Sequence, residues 1–125
     1  MRRILNSFLQ FIEQDDSESI IVAATNNQKL LDQALFRRFD DVLHYTLPTS
    51  KEIKRLFEYK IKAYDNYFII SKEIIKAAEG LSHAEIARVC DDAIKNSILS
   101  DEPITSKAVI ALLSERQNVY TCKEA

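Results

Sequence analysis

Residues 20–41, IIVAATNNQKLLDQALFRRFDD, change from an apolar run to a polar turn and end in a charged stretch. Residues 20–25 are apolar or β-branched and do not alternate with polar residues, so they predict a strand buried on both faces, as in a parallel sheet. Asn26 follows directly, at the carboxyl end of that strand. A short helical stretch then leads to Arg37 and Arg38, so an amide and two guanidinium groups flank one small element.

The elements around this stretch predict the end of an α/β sheet. Residues 3–13 carry apolar side chains at helical spacing and predict an amphipathic helix. Residues 42–47, VLHYTL, predict a second strand that Pro48 ends. Two strands cannot form a stable parallel sheet alone, because both faces and both edges stay open. We therefore expect residues 1–48 to be the last part of a larger α/β domain.

After Pro48 every pattern is helical, and four helices are predicted. The second of these ends at Gly80, the only glycine of the chain. The third begins with the spacing of a capping box, in which Glu85 reaches back to the N-cap residue. The predicted N-caps are Ser50, Ser71, Ser82 and Thr105. We expect an all-α four-helix domain over residues 49–116 and a frayed tail over residues 117–125.

The composition indicates a folded protein and excludes several classes of partner. Hydrophobic residues make up 46% of the chain, which is enough for a core. Seventeen basic and 19 acidic residues give a net charge of −2, so neither nucleic acid nor an anionic membrane is an expected partner. The two cysteines form no CxxC motif, which is typical of a reducing compartment, and we expect a cytoplasmic protein.

The single glycine also limits the chemistry. A GxxxxGK phosphate loop needs two glycines, and a dinucleotide-binding fingerprint needs three, because a Cβ would obstruct their backbones near phosphate. The strongly apolar strand ends in Thr-Asn-Asn, and no such strand ends in the acidic pair that would hold Mg²⁺. The chain therefore contains neither element, and no metal-ligating residues are predicted.

Taken separately, the polar residues of the opening stretch have two interpretations. Asn26 suits an ordinary turn, but an amide beyond a parallel strand also suits contact with a phosphate oxygen and a water. Arg37 and Arg38 suit a solvated surface, but guanidinium groups also stabilise the charge of a transferring phosphoryl group. Neither residue pattern decides between these alternatives by itself.

The combination resembles the second region of homology of the AAA family of ATPases, a subgroup of the wider AAA+ class. That family's pattern, approximately ATNxxxxLDxAxxRRF and then a strand ending in LP, matches residues 24–48. The matching residues are Ala24, Thr25, Asn26, Leu31, Asp32, Ala34, Arg37, Arg38, Phe39, Leu47 and Pro48. The resemblance implies that Asn26 is the sensor 1 residue, near the γ-phosphate and the attacking water. It implies that Arg37 and Arg38 are arginine fingers that enter the neighbouring subunit's nucleotide site.

The helical half is similar to the lid domain of the same family. Residues 78–94, AEGLSHAEIARVCDDAI, resemble the family segment GxSGADIxxLxxxA, which packs near the adenine. His83 stands where glycine is usual, and Ala84 matches. By position in the first lid helix, Leu56 and Lys60 are expected to flank the base and ribose, although a histidine is often found at the position of Lys60. The resemblance thus implies four nucleotide-binding residues in the lid.

The resemblance implies the C-terminal portion of an AAA ATPase module, that is, the end of a P-loop NTPase sheet followed by its lid. The intact module is expected to bind ATP and Mg²⁺ and to hydrolyse ATP in a homo-oligomeric ring that acts on an unidentified protein substrate. This chain alone is expected to be inactive and to bind no nucleotide tightly.

Two alternatives belong to other functional classes. The first is a non-enzymatic helical protein-interaction module formed by residues 49–116. The second is a helix-turn-helix DNA binder that uses the helix from Ser82. Its acidic residues, Glu85, Asp91 and Asp92, would repel phosphates and disfavour that interpretation.

Overall fold

The computed structural model describes residues 2–26 and 37–124, and the chain divides into two compact units, Met1–His44 and Tyr45–Ala125. Within these described ranges there are five helices and no strand. The helices are α1 (Arg2–Glu13), α2 (Ser50–Lys60), α3 (Lys72–Ala78), α4 (His83–Ser100) and α5 (Ser106–Glu124).

The first unit begins with α1, which confirms the helix predicted for residues 3–13. Leu9 is buried, whereas Phe11 is exposed. The helix closes with a backbone hydrogen bond from Gln14 N to Gln10 O of 3.0 Å. A turn follows in which the Asp15 carboxylate accepts from the Ser17 N–H at 3.0 Å, so local side-chain chemistry ends the helix.

The two strands predicted in this region are not present in the described part of the chain. Residues 20–25 and 42–47 carry no strand assignment, and Ile20 and Val22, predicted to be buried, are 91% and 87% exposed. A strand exists only when a neighbouring strand pairs with its backbone groups, so an apolar run cannot form one by itself. The predicted α/β part is therefore not confirmed. The predicted helical stretch over residues 28–36, including the matches Leu31, Asp32 and Ala34, lies outside the described residues.

The second unit begins with a capping box on α2. The Thr49 hydroxyl accepts from Glu52 N at 3.4 Å, and the Glu52 carboxylate accepts from Thr49 N at 2.7 Å. The predicted N-cap, Ser50, is therefore wrong by one residue. A capping box needs a Glu or Gln three residues after the cap, and only Thr49 has Glu52 at that spacing.

The N-caps predicted for the other three helices are confirmed, whereas the predicted reach of the Glu85 side chain back to Ser82 stays a prediction. Ser71, Ser82 and Thr105 each accept a hydrogen bond from the backbone N–H three residues later, at 3.4, 3.3 and 3.2 Å. Gly80 follows α3 with φ of +86°, and a Cβ added there would meet no atom within 4 Å. The backbone conformation, not crowding, therefore requires glycine at this position.

The second unit has one hydrophobic core, to which all four of its helices contribute. Helix α2 packs on α3 and α4, and α5 packs on the same two helices. The fully buried large side chains at the centre are Ile53, Phe57, Ile61, Ile74, Leu81, Ile86, Val89, Cys90, Val109 and Leu113. This helical unit agrees with the all-α domain predicted from residue 49 onward.

Helix α5 continues to Glu124, whereas the sequence suggested fraying after Arg116. Gln117 lies in this continuation and is held by α3, because its Nε2 donates to Glu79 O at 2.7 Å and to Ala77 O at 3.3 Å. Both carbonyls lie at the end of α3, where a helix leaves carbonyl groups without partners. Gln117 thus ties the second half of α5 to α3.

Candidate functional site

The predicted catalytic residues lie in the first unit. Asn26 is exposed and follows residues 20–25, which carry no helix or strand assignment. Arg37 and Arg38 form a turn and are exposed. The Nη1 atom of Arg38 lies 2.8 Å from Oε1 of Glu13, the last residue of α1, with side-chain exposures of 39% and 51%. The ion pair fixes one end of the guanidinium and leaves the group accessible to solvent.

These residues have the chemistry that phosphate recognition needs. A guanidinium presents a rigid fork of N–H donors that matches phosphate or carboxylate, and Arg38 already uses it toward a carboxylate. An exposed amide at Asn26 can donate to a phosphate oxygen and accept from a water. Within the described residues, no hydrogen bond joins Asn26 to either arginine, and their roles stay predictions.

The predicted lid contacts lie on α2 and α4, which pack together. Lys60 Nζ donates to Asp91 Oδ1 at 2.9 Å, and this hydrogen bond raises the pKa of Lys60. Eight residues earlier on α2, the pKa of Glu52 is lowered, chiefly by the hydrogen bond from the Thr49 N–H and to a smaller extent by the nearby charge of His83. Helix α2 packs against α4, and the hydrogen bond between Lys60 and Asp91 joins the two helices.

Leu56 lies on α2 between Glu52 and Lys60, four residues from each and therefore on the same face of the helix. Its side chain is half-buried and packs against the core, while His83 and Ala84 are exposed in the first turn of α4. The structure therefore places all four predicted lid residues on one pair of adjacent helices. Of the four, Lys60 has a described polar partner, since Asp91 accepts from its ammonium group.

Several charged partners were missed by sequence reasoning. No local sequence pattern predicts Glu13 or Asp91 as an ion-pair partner, because Arg38 and Lys60, with which they pair, are distant in the sequence. Arg116 of α5 was also missed, and its guanidinium lies 3.5 Å from Glu85 and 3.8 Å from Asp92 on α4. The capping role of Glu52 could have been found from the T-x-x-E spacing.

The described residues contain no metal-binding cluster, and the thiol of Cys90 is not a reactive one. No cluster of three or more His, Cys, Asp or Glu side chains could hold a metal ion in residues 2–26 and 37–124. Cys90 is fully buried, and burial raises the pKa of its thiol to about 12, so it acts as a packing residue. None of the described helices has the length and apolar character needed to cross a membrane.

Comparison with known proteins assigns the chain to a family. Residues 1–47 match the model of the AAA family, the ATPase family associated with various cellular activities. Over 99 residues the chain is 40% identical to an uncharacterized AAA family ATPase of Sinorhizobium fredii, a match that covers 79% of this chain and 30% of that protein. The chain therefore belongs to the AAA family of ATPases.

Two further relatives extend the comparison through the helical unit. The ATP-dependent zinc metalloprotease FtsH of Parabacteroides distasonis is 36% identical over 94 residues, which cover 71% of this chain and 14% of FtsH. A proteasome-activating nucleotidase of Saccharolobus islandicus is 33% identical over 115 residues, which cover 83% of this chain and 28% of the nucleotidase. The chain thus spans less than a third of the length of these relatives. No solved structure gives a significant match.

Proposed function

We propose that this chain is the C-terminal portion of an AAA ATPase module whose intact form binds ATP and Mg²⁺ and hydrolyses ATP. Residues 1–48 supply the end of the nucleotide-binding core, and residues 49–116 supply the lid. The observation that carries this proposal is the spacing of the family motif in residues 24–48, most of which falls within the segment that the AAA family model matches.

In the proposed module, Asn26 and the two arginines serve different nucleotides. Asn26 orients the attacking water and contacts the γ-phosphate of its own subunit. Arg37 and Arg38 stabilise the charge of the transferring phosphoryl group in the neighbouring subunit of a homo-oligomeric ring, since phosphoryl transfer depends mainly on positioning and on charge stabilisation. The exposure of all three residues supports roles that require contact outside their own fold.

The lid is proposed to hold the base and ribose. Leu56 contributes an apolar surface, Lys60 lies at its edge, and His83 and Ala84 lie at the start of α4. Support comes from the packing of α2 against α4, which gathers the four residues on neighbouring helices. The phosphates and Mg²⁺ depend on a GxxxxGK phosphate loop, which this sequence lacks, and on an acidic pair at the end of a strongly apolar strand, where this sequence has Thr-Asn-Asn.

The chain alone should therefore neither hydrolyse ATP nor bind it tightly. Isothermal titration of the chain with Mg·ATP tests this expectation directly. We expect no saturable heat in the low-micromolar range, because the phosphate contacts that dominate nucleotide affinity are absent. A low-micromolar dissociation constant would contradict the proposed division of the module.

The catalytic roles can be tested in a chimera. The matched segment of the Saccharolobus islandicus nucleotidase is replaced by the corresponding residues of this chain, so that the rest of the module comes from a relative whose name records nucleotidase activity. We expect the chimera to hydrolyse ATP. Arg38→Ala should then lower turnover by roughly 10³-fold, as for other arginine fingers, with nucleotide affinity nearly unchanged.

A matched control separates the proposed role from a general effect of charge. Arg88 is another exposed arginine, on α4, with no predicted contact to nucleotide, so Arg88→Ala should leave turnover within about twofold of the parent chimera. If Arg38→Ala weakened nucleotide binding and left turnover intact, the trans-acting role would be wrong. A folded chimera without any turnover would contradict the proposal as a whole.

A second candidate function is a non-enzymatic helical interaction module. It is favoured by the exposed apolar side chains of the second unit, which include Tyr67, Ile69, Ile98 and Leu99. Ile98 and Leu99 also line an open hollow of about 260 Å³ on α4, together with Ile94, Lys95 and Asp91. If this function is right, the 125-residue chain binds a protein partner through residues 49–116. Replacing Asn26, Arg37 and Arg38 in that chain should then leave the affinity for the partner unchanged.

A further inference from the structure

The ion pair between Arg38 and Glu13 joins the proposed arginine finger to its own unit. The 2.8 Å distance from Arg38 Nη1 to Glu13 Oε1 is typical of a charge-assisted hydrogen bond. Both residues belong to Met1–His44, so the contact lies within one compact unit. It connects the end of α1 to the turn at residues 37–38, two segments far apart in the sequence.

Glu13 is one of several acidic residues at the end of α1 and just after it, so negative charge alone does not explain why Arg38 pairs with Glu13. Glu13, Asp15, Asp16 and Glu18 all lie within residues 13–18. The Asp15 carboxylate accepts instead from Ser17, whose backbone N–H lies at 3.0 Å. Hydrogen bonds from the Ser17 side chain and, to a smaller extent, from this N–H lower the pKa of Asp15. Of the carboxylates in this stretch, Glu13 is the one that the structure places against Arg38.

We propose that Glu13 is a positioning residue that holds Arg38 inside its own subunit and competes with the neighbouring subunit's nucleotide for the same guanidinium. This inference rests on the proposed trans-acting role of Arg38. Carboxylate and phosphate are alternative partners for the same fork of N–H donors. Arg38 leaves Glu13 when it reaches across to phosphate, and it returns to Glu13 when that phosphate is absent.

The exposure of the pair sets the strength of this competition. Because both side chains are accessible to solvent, water and salt screen the attraction, and such exposed pairs shift an equilibrium by about two- to fivefold. Glu13 therefore tunes the availability of Arg38 and does not block it. Since the more highly charged phosphate offers more acceptors, it is expected to displace the carboxylate in an assembled ring.

The first test measures the accessibility of Arg38 in the 125-residue chain, without reference to activity. Phenylglyoxal modifies free guanidinium groups, and an Asp-N peptide covering residues 32–39 contains Arg37 and Arg38 for readout by tandem mass spectrometry. We expect Glu13→Gln to raise the modification rate of Arg38 by about two- to fivefold, the range for an exposed pair. Glu18→Gln, which removes a nearby charge from the same acidic stretch, should leave that rate unchanged, and Arg37 serves as the internal reference. Equal rates in the parent chain and Glu13→Gln would overturn the proposal.

The second test measures turnover in the chimera. Glu13→Gln should raise turnover at subsaturating subunit concentration by about two- to fivefold, the range expected for an exposed pair, with the KM for ATP unchanged. Glu13→Asp, which keeps the charge, should restore most of the parent behaviour. If Glu13 had a merely structural role, Glu13→Gln would lower turnover, or it would change turnover equally in a chimera that also carries Arg38→Ala. Either result would overturn the proposal.

The two tests separate this inference from the proposed function. If Arg38→Ala leaves turnover unchanged, the arginine-finger role is wrong. Glu13 then does not compete with a neighbouring nucleotide for Arg38, even though the modification assay still detects the ion pair. If Arg38→Ala abolishes turnover and Glu13→Gln changes neither the modification rate nor turnover, the finger role stands and the role of Glu13 is wrong.

Discussion

Gln117 is predicted to be the main anchor between the second half of α5 and α3. Its side-chain amide donates to the carbonyl oxygens of Glu79 and Ala77, at 2.7 and 3.3 Å. Replacing Gln117 by Met keeps the length and the helical preference of the side chain but removes both donors. The two carbonyls then return to water or lose their partners.

The cost follows from these two hydrogen bonds. Each intramolecular hydrogen bond contributes about 1 kcal/mol net, and one of the two here is partly buried while the other is exposed. We therefore expect Gln117→Met to lower the free energy of unfolding by about 1–2 kcal/mol. For a helical unit of this size, that corresponds to a fall in Tm of about 4–16 °C.

Thermal and urea unfolding of the chain, followed by circular dichroism at 222 nm, gives the measurement. The control is Asn118→Met, the same replacement at the adjacent exposed position of α5. A third variant, Gln117→Glu, places an acceptor against two carbonyl oxygens. The raised pKa of the new carboxyl should make this variant gain stability as the pH falls through that pKa. Equal stability of Gln117→Met and Asn118→Met would refute the reasoning.

Three further predictions concern the helical unit. Gly80→Ala should cost about 1–2 kcal/mol in urea unfolding, because φ is +86° and an L-residue is strained there; an unchanged midpoint would contradict this. Phe57→Ala, at a fully buried position, should cost about 3–5 kcal/mol, whereas Tyr59→Ala, two residues away and exposed, should stay within about 0.5 kcal/mol. The Cys90 thiol, with a pKa of about 12, should resist iodoacetamide at pH 8 in the folded chain and react in denaturant; equal rates would show that it is accessible.

The helix starts of the second unit could be predicted because capping is local. At Ser71, Ser82 and Thr105, the side chain bonds a backbone N–H only three residues away, so the sequence contains both partners within one turn. The same argument corrects Ser50 to Thr49, since the T-x-x-E spacing was available in the sequence. The bend at Gly80 is equally local, because it depends on the φ of one residue.

The strands could not be predicted with the same certainty. The apolar run at residues 20–25 has the composition of a buried strand, but strand formation requires hydrogen bonds from a second segment. Ile20 and Val22 are largely exposed in this structure. The apolar pattern therefore indicates that these side chains favour burial, but it does not show that they are buried. The four residues predicted to bind nucleotide, Leu56, Lys60, His83 and Ala84, in contrast, lie on helices that the sequence predicted, although how those helices pack did not follow from it.

By itself, the sequence determined the helical character of the second unit, most of its caps and the family, since each depends on residues at short, fixed spacings. Tertiary structure alone decided which charges and amides meet: Arg38 with Glu13, Lys60 with Asp91, and Gln117 with the end of α3. The partners in these contacts lie on different elements, 31 residues apart for Lys60 and Asp91 and 38 for Gln117 and Glu79. No local periodicity encodes a pairing between residues so far apart in the sequence, because the packing of the buried helix faces decides which residues meet.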